Sequence, residues 1–231
     1  MKKYLFLLIL VFTVNMNADV IYQFDFTSRY IWRGFDIFPK NKSAIQPSLT
    51  LNFGESGFSI GLWCSFSLGG RDELKYSDEI DFTLVYHFKI SEDFSFQAGF
   101  NHYGWYFAKN FSFKDSTTQE FFVTAVLPEI FLSPTLTVYY DINLGDGLYI
   151  LLGGGHSVKL SNTITINLSA SLGYNGGQWI KNFGFSDLEF DVSLPFKLNK
   201  FTISPFFNYT FVFLDSVNEN NEIWFGFSFI L

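Results

Sequence analysis

From Tyr22 onward, apolar and polar residues alternate with a period of two. Tyr22, Phe24, Phe26, Tyr30 and Trp32 form one set, and Gln23, Asp25, Thr27, Arg29 and Arg33 form the other. That period belongs to a strand with one apolar face. It recurs in Ile45–Phe53, in Phe58–Leu68 and in Glu79–Phe88. It continues through Phe94–Trp105, Glu120–Leu127 and Thr135–Ile142, then Leu148–Val158, Thr163–Tyr174, Leu188–Phe196, Phe201–Phe211 and Ile223–Leu231. Only Leu148–Val158 hides its register, behind the glycines at 153–155. The pattern predicts twelve strands, each of about the 9–11 residues that cross a bilayer at a tilt. After the amino-terminal segment no apolar run is long enough for a membrane helix.

The connections alternate as well. "GESG", "KISED", "KLSN" and "KLNK" are short; "GFDIFPKNKSA", "GGRDELKYSD", "FAKNFSFKDSTT" and "NGGQWIKNFGFS" are long, and "NLGDG" is the one long-side connection that comes out short. Tight periplasmic turns and longer outer loops are the arrangement of an outer-membrane barrel. A soluble barrel also alternates, so the lysines decide which face is wet. Beyond the amino terminus they stand at 40, 42, 75, 89, 109, 114, 159, 181, 197 and 200, all in turns, loops or strand ends. A water-facing sheet would carry lysine along its polar face. Here that face is Ser, Thr, Asn, Gly and a few carboxylates, which suits a confined lumen. Phe53 and Phe58, Phe88 and Phe94, and Phe196 and Phe201 flank successive turns as an interfacial girdle. The chain is therefore read as a closed antiparallel transmembrane β-barrel of twelve strands.

Composition agrees. Aromatics are 21% of the 231 residues and charged residues only 16%, below the usual quarter. Lys2 and Lys3, the apolar "YLFLLILVFTV" and Ala18 predict a secretory signal over residues 1–18, with 19–231 forming a single barrel domain in the outer membrane of a Gram-negative cell. Losing the two lysines moves the formal charge from −7 to −9, which excludes nucleic acid as a partner. The partners left are outer-membrane lipid, small solutes and the assembly machinery that reads a terminal strand. The single cysteine, Cys64, excludes an intrachain disulfide and reads as a small apolar side chain on a strand.

"WFGFSFIL" at the carboxy terminus, with Gly226, Phe229 and Leu231, resembles the terminal-strand signal read by the outer-membrane assembly machinery. "SRYIWRG", then "IQPSL", then "GLWCSF" resemble the TorF-like family of outer-membrane porins. The matching positions are Ser28, Tyr30, Arg33 and Gly34, then Gln46 and Pro47, then Gly61, Trp63 and Ser65. The order Gln-Pro and the extra Arg29 depart from the family pattern. The resemblance covers roughly the first quarter of the mature chain and implies a barrel with pore function.

By register, Asp25, Glu79, Asp81, Glu120, Asp141, Glu189 and Asp191 point inward together with Arg29 and Arg33. Such a set is either a charged constriction that selects solutes or a paired network that fills the barrel. Twelve strands enclose a backbone cylinder roughly 24 Å across, narrowed by side chains to about 10 Å or less. Tyr30 and Trp32 are expected to face lipid near the outer interface, with Arg29 and Arg33 reaching from the first strand towards Glu189 and Asp191. Trp63, Tyr103 and Trp105 fall on the lumen face, as packing or as stacking platforms.

The function that follows is a small channel with an acidic, weakly cation-preferring lumen. The alternatives are a lipase- or deacylase-type enzyme and a closed structural or receptor barrel. An enzyme would need a Ser–His pair near the outer rim. Only His102 is placed there, on the apolar face and without an obvious serine, so no catalytic residue is assigned. "DINLGDG" lacks calcium-loop spacing and reads as a tight turn; no metal or cofactor is expected.

Overall fold

Because the polar set is narrow and the apolar set continuous, these strands can satisfy every backbone hydrogen bond in a membrane only by closing on themselves. The computed structural model describes residues 18–40 and 42–231; the predicted signal segment lies almost wholly outside them. The wall is made by β1 (Asp19–Thr27), β4 (Ala44–Asn52), β5 (Phe58–Ser67), β6 (Glu79–Lys89), β7 (Ser95–Gly104) and β8 (Thr117–Val126). It continues through β9 (Thr135–Asp141), β10 (Gly147–Lys159), β11 (Thr165–Gly176), β12 (Phe183–Ser193), β14 (Phe201–Val212) and β15 (Glu222–Ile230). Three short strands complete the set: β2 (Ile31–Trp32), β3 (Phe35–Asp36) and β13 (Phe196–Leu198), the last of which extends the β12–β14 hairpin beyond Pro195. Neighbours in the wall pair antiparallel all the way round. β12 pairs with β14, β14 with β15, and β15 returns to β1 with Gln23 opposite Ile230 and Thr27 opposite Gly226. The predicted twelve-stranded closed barrel is the observed one.

The two faces separate as the alternation requires. On β6, Glu79 and Asp81 are buried inside while Phe82, Leu84 and Tyr86 stand 41–47% exposed outside. On β8, Thr118, Glu120 and Thr124 are buried and Phe121 and Val123 exposed. A continuous exposed belt of this kind is far larger than a water-soluble surface tolerates, so it is the lipid-facing surface. Cys64, between the inward Trp63 and Ser65, lies on that outer face.

The run Gly153–Gly155 lies inside one unbroken strand. Gly153 is paired with Ser171 and Thr135, and Gly155 with Ser169. Glycine is needed there because the turn after β8 folds back on β10. Gly155 N–H donates to Leu132 O at 2.7 Å, and a Cβ on Gly154 would stand 3.0 Å from that same oxygen.

A ladder with no free edge resists detergent until heated. Unboiled protein on a detergent gel is expected to migrate as a separate, compact band from boiled protein; identical mobility would contradict closure.

Candidate functional site

The first strand does not carry the arginines. β1 stops at Thr27, and Ser28 makes the last wall contacts, donating its N–H to Phe225 O at 2.8 Å while its hydroxyl accepts Phe225 N–H at 2.9 Å. The chain then turns into the barrel as a small hairpin. Ile31 pairs with Asp36, Trp32 with Phe35, and Ile37 N–H donates to Tyr30 O at 2.9 Å. The two residues between, Arg33 (φ 52°) and Gly34 (φ 84°), are both left-handed, as a two-residue turn of type I′ demands. Asn-Gly is the usual pair for such a turn, so "WRGF" carried no turn signal. Gly34 is obligatory here, since a Cβ would lie 2.9 Å from Val217 Cγ1 and 3.2 Å from Asp187 Cβ.

The expectation that Tyr30 and Trp32 face lipid is therefore corrected: both lie inside the barrel. Tyr30 is 8% exposed and packs at 5.5 Å from Phe38 and 5.4 Å from Trp63, ring centre to ring centre. Trp32 meets Tyr103 at 5.9 Å and Trp179 at 6.4 Å. Phe38 and Ala44 are fully buried. Each such aromatic withdrawn from water contributes about 1.5–3 kcal/mol, which holds the hairpin inside. Trp63 and Tyr103 are on the lumen face as expected and serve as packing. The inserted residues form the hydrophobic core of the molecule, a core the alternation could not reveal because an apolar residue inside a filled lumen looks like one facing lipid.

At the hairpin tip, Arg33 reaches the opposite wall. Its Nη1 donates to Glu120 Oε2 at 2.6 Å and its Nη2 to Glu120 Oε1 at 3.0 Å, a two-pronged ion pair with both side chains buried. Nη1 also donates to Gln178 Oε1 at 2.5 Å, while Gln178 Nε2 donates to Glu120 Oε2 at 2.7 Å and the Tyr103 hydroxyl to Glu120 Oε1 at 2.8 Å. The guanidinium lies 4.1 Å from the Tyr139 ring and 4.5 Å from those of Tyr149 and Trp32. Arginine suits the place because its planar fork matches a carboxylate and stacks on rings. Arg29 pairs with Glu222 at the outer end of β15. Glu189 and Asp191, the expected partners, are not used: Glu189 accepts the Thr210 hydroxyl at 3.1 Å and Asp191 the Ser169 hydroxyl at 3.3 Å. The expectation failed because it placed both arginines on the first strand. The inserted hairpin instead carries Arg33 to β8.

The remaining predicted residues fall into separate groups. Glu79, buried at the outer end of β6, accepts the Tyr30 hydroxyl at 3.1 Å, and Asp81 accepts Gly104 N–H at 3.3 Å. Asp141 is fully buried; it accepts the Thr118 hydroxyl at 2.6 Å and Asn143 N–H at 2.9 Å, and so anchors the 142–146 turn. Asp25, on the lumen face of β1, is bonded by Gln23 at 2.9 Å. In the hairpin, burial raises the Asp36 pKa, partly offset by Arg29 and the Phe38 N–H. Sequence reasoning missed Glu222, Gln178, Tyr149 and Asp187. Tyr149 donates to Asp187 Oδ1 at 3.0 Å. Gln178 sits in a loop, where no period exists to point it inward.

His102 is on the outer face near the outer rim, as expected. It bonds Tyr106 at 2.8 Å and Gln119 at 3.1 Å, and no serine is among its described partners. His87 meets Ser59 at 3.3 Å at the periplasmic end of the lumen, with no described carboxylate to complete a triad. Among the described residues no His/Cys/Asp/Glu group could hold a metal ion.

The family model described as "Bacterial protein of unknown function (Gcw_chp)" matches residues 14–212. The chain belongs to this family. No curated protein matches the Gcw_chp chain. Among solved structures it is similar to the NanC porin (TM-score 0.57, 10% identity, covering 91% of this chain and 98% of that one). It is also similar to the KdgM porin (TM-score 0.59, 12% identity, 92% and 98%), and to KdgM in complex with disordered oligogalacturonate (TM-score 0.56, 12% identity, 92% and 98%). At these identities the Gcw_chp chain shares the fold of outer-membrane porins.

Proposed function

We propose that this protein is a narrow outer-membrane channel for small solutes, with a weak preference for cations, constricted at its outer end by the inserted hairpin. The observation that carries the reading is the inner wall. Below the hairpin it is lined by small polar side chains such as Ser48, Thr83, Asn167 and Ser171, with Asp25 and Asp191 among them and no described arginine or lysine opposite. Fixed carboxylates in a water-filled, low-dielectric wall attract cations and repel anions. Beside the hairpin lies a polar cavity of about 590 Å³, lined by Arg29, Asp36, Lys40, Asn218 and Glu222 among others, at the outer mouth of the proposed channel. The porin fold and the TorF-like residues at 28–34 support the same reading. The same reading includes a secretory signal over residues 1–18 and recognition of the terminal strand by the outer-membrane assembly machinery, both proposed from the sequence alone.

In a planar bilayer under a potassium chloride gradient, the reversal potential is expected to show cation preference. Anion preference would contradict the proposal. A barrel that inserts but conducts nothing would favour the closed receptor or structural alternative, for which the filled outer lumen is the specific support.

A further inference from the structure

The hairpin leaves a second cavity, of about 160 Å³, at the outer end of the barrel. Its walls are aromatic. The hairpin contributes Tyr30, Trp32 and Phe35, the end of β7 and the segment after it Tyr103 and Trp105, and the loop after β11 Trp179. Among the described residues one charged side chain lines it, Glu79 on β6. Its carboxylate accepts the Tyr30 hydroxyl at 3.1 Å and is hydrogen-bonded to the neighbouring Asp81 carboxyl, and no lysine or arginine pairs with it among the described residues. Asp81 follows on the same face of the strand.

We propose that this vestibule is a binding site for an organic ammonium ion with a small aromatic or alkyl body. Ring faces attract a cation through their quadrupoles, most strongly for Trp, and the attraction grows when water is excluded. A single carboxylate among the rings fixes where the charge sits. The protein already uses this chemistry next door, where the Arg33 guanidinium lies 4.5 Å from the Trp32 ring. An anion has nothing to meet, because both lumen arginines are committed to Glu120 and Glu222. A neutral polyol would strip its hydroxyls of water against a wall that offers almost only ring carbon, which is costly without replacement hydrogen bonds.

The site is independent of conduction, so it stands or falls apart from the channel reading. Three of the cavity's lining residues are tryptophans, so the full barrel, refolded in detergent micelles, reports binding by its own fluorescence. Benzylammonium is expected to give a saturable change, benzyl alcohol to bind about ten-fold more weakly, and benzoate not to bind. Glu79→Gln should lower benzylammonium affinity about ten-fold and leave benzyl alcohol unchanged. Trp105→Leu should weaken both. The heat-dependent gel shift monitors folding of each variant; should Glu79→Gln fail to fold, the ranking of the three compounds and the Trp105 variant carry the test. Equal binding of the three compounds, preference for benzoate, absence of a saturable benzylammonium signal, or a Glu79→Gln barrel that keeps the wild-type ranking would each overturn the proposal.

Discussion

Arg33→Ala is expected to release the hairpin from the far wall and raise single-channel conductance several-fold. The guanidinium is the tip's only charge, and it is held by Glu120 on both prongs, by Gln178 and by three aromatic rings. Removing one partner of a buried pair leaves the other charge uncompensated, at a cost of about 3–5 kcal/mol. The turn also loses its support: Arg33 occupies a left-handed conformation that non-glycine residues seldom adopt. Because the wall's own ladder does not include the hairpin, the cost falls on hairpin docking and the barrel should still form, shown by an unchanged heat-dependent gel shift. Freed Glu120 adds a negative charge to the lumen, so cation preference should increase with conductance. Arg33→Lys keeps the charge but not the planar fork and should fall between. A variant that conducts like the wild-type protein would mean that the hairpin does not set the constriction.

Gly226→Val should prevent the barrel from closing. Gly226 lies in β15 opposite Thr27 of β1 and Phe206 of β14, on the seam where the last strand meets the first. Any side chain there would collide with the Phe26 carbonyl oxygen and come within 2.6 Å of Phe206 Cζ. The oxygen is backbone in a hydrogen-bonded ladder and cannot swing aside. Overpacking of this kind costs about 1–3 kcal/mol and sometimes more, and here it also breaks ladder bonds that have no water to replace them. The expected result is loss of the compact unboiled band, or a urea midpoint lowered by the equivalent of about 3 kcal/mol. Gly61→Val is the control: on β5 a Cβ meets only Thr83 Cβ, at 3.5 Å. Similar behaviour of the two variants would show that the seam has no special demand for glycine.

The barrel was legible in the sequence because it depends on a local rule. Alternation is a property of each strand alone, and a strand with one wet and one oily face has few places to go; strand count, wall and sidedness follow from Phe82, Leu84 and Tyr86 opposing Glu79 and Asp81. The short turns and the lysines at strand ends were equally readable, because they mark where the chain leaves the membrane. The inward placement of Glu120 and the outward placement of His102 came from the same parity.

The site was less legible. "SRYIWRGFD" continues the alternation of β1, and nothing in its residues says that the chain leaves the wall after Ser28. Whether an apolar residue such as Tyr30 faces lipid or a filled lumen is not a local property, since both environments are dry. It depends on Trp63, Tyr103 and Trp179, which come from distant parts of the chain. The sequence by itself determined the barrel and the inward carboxylates. Only the tertiary structure decided that the first outer loop fills the mouth, and that Arg33 meets Glu120 rather than Glu189. The partner of a buried charge is set by which walls a closed ring brings face to face.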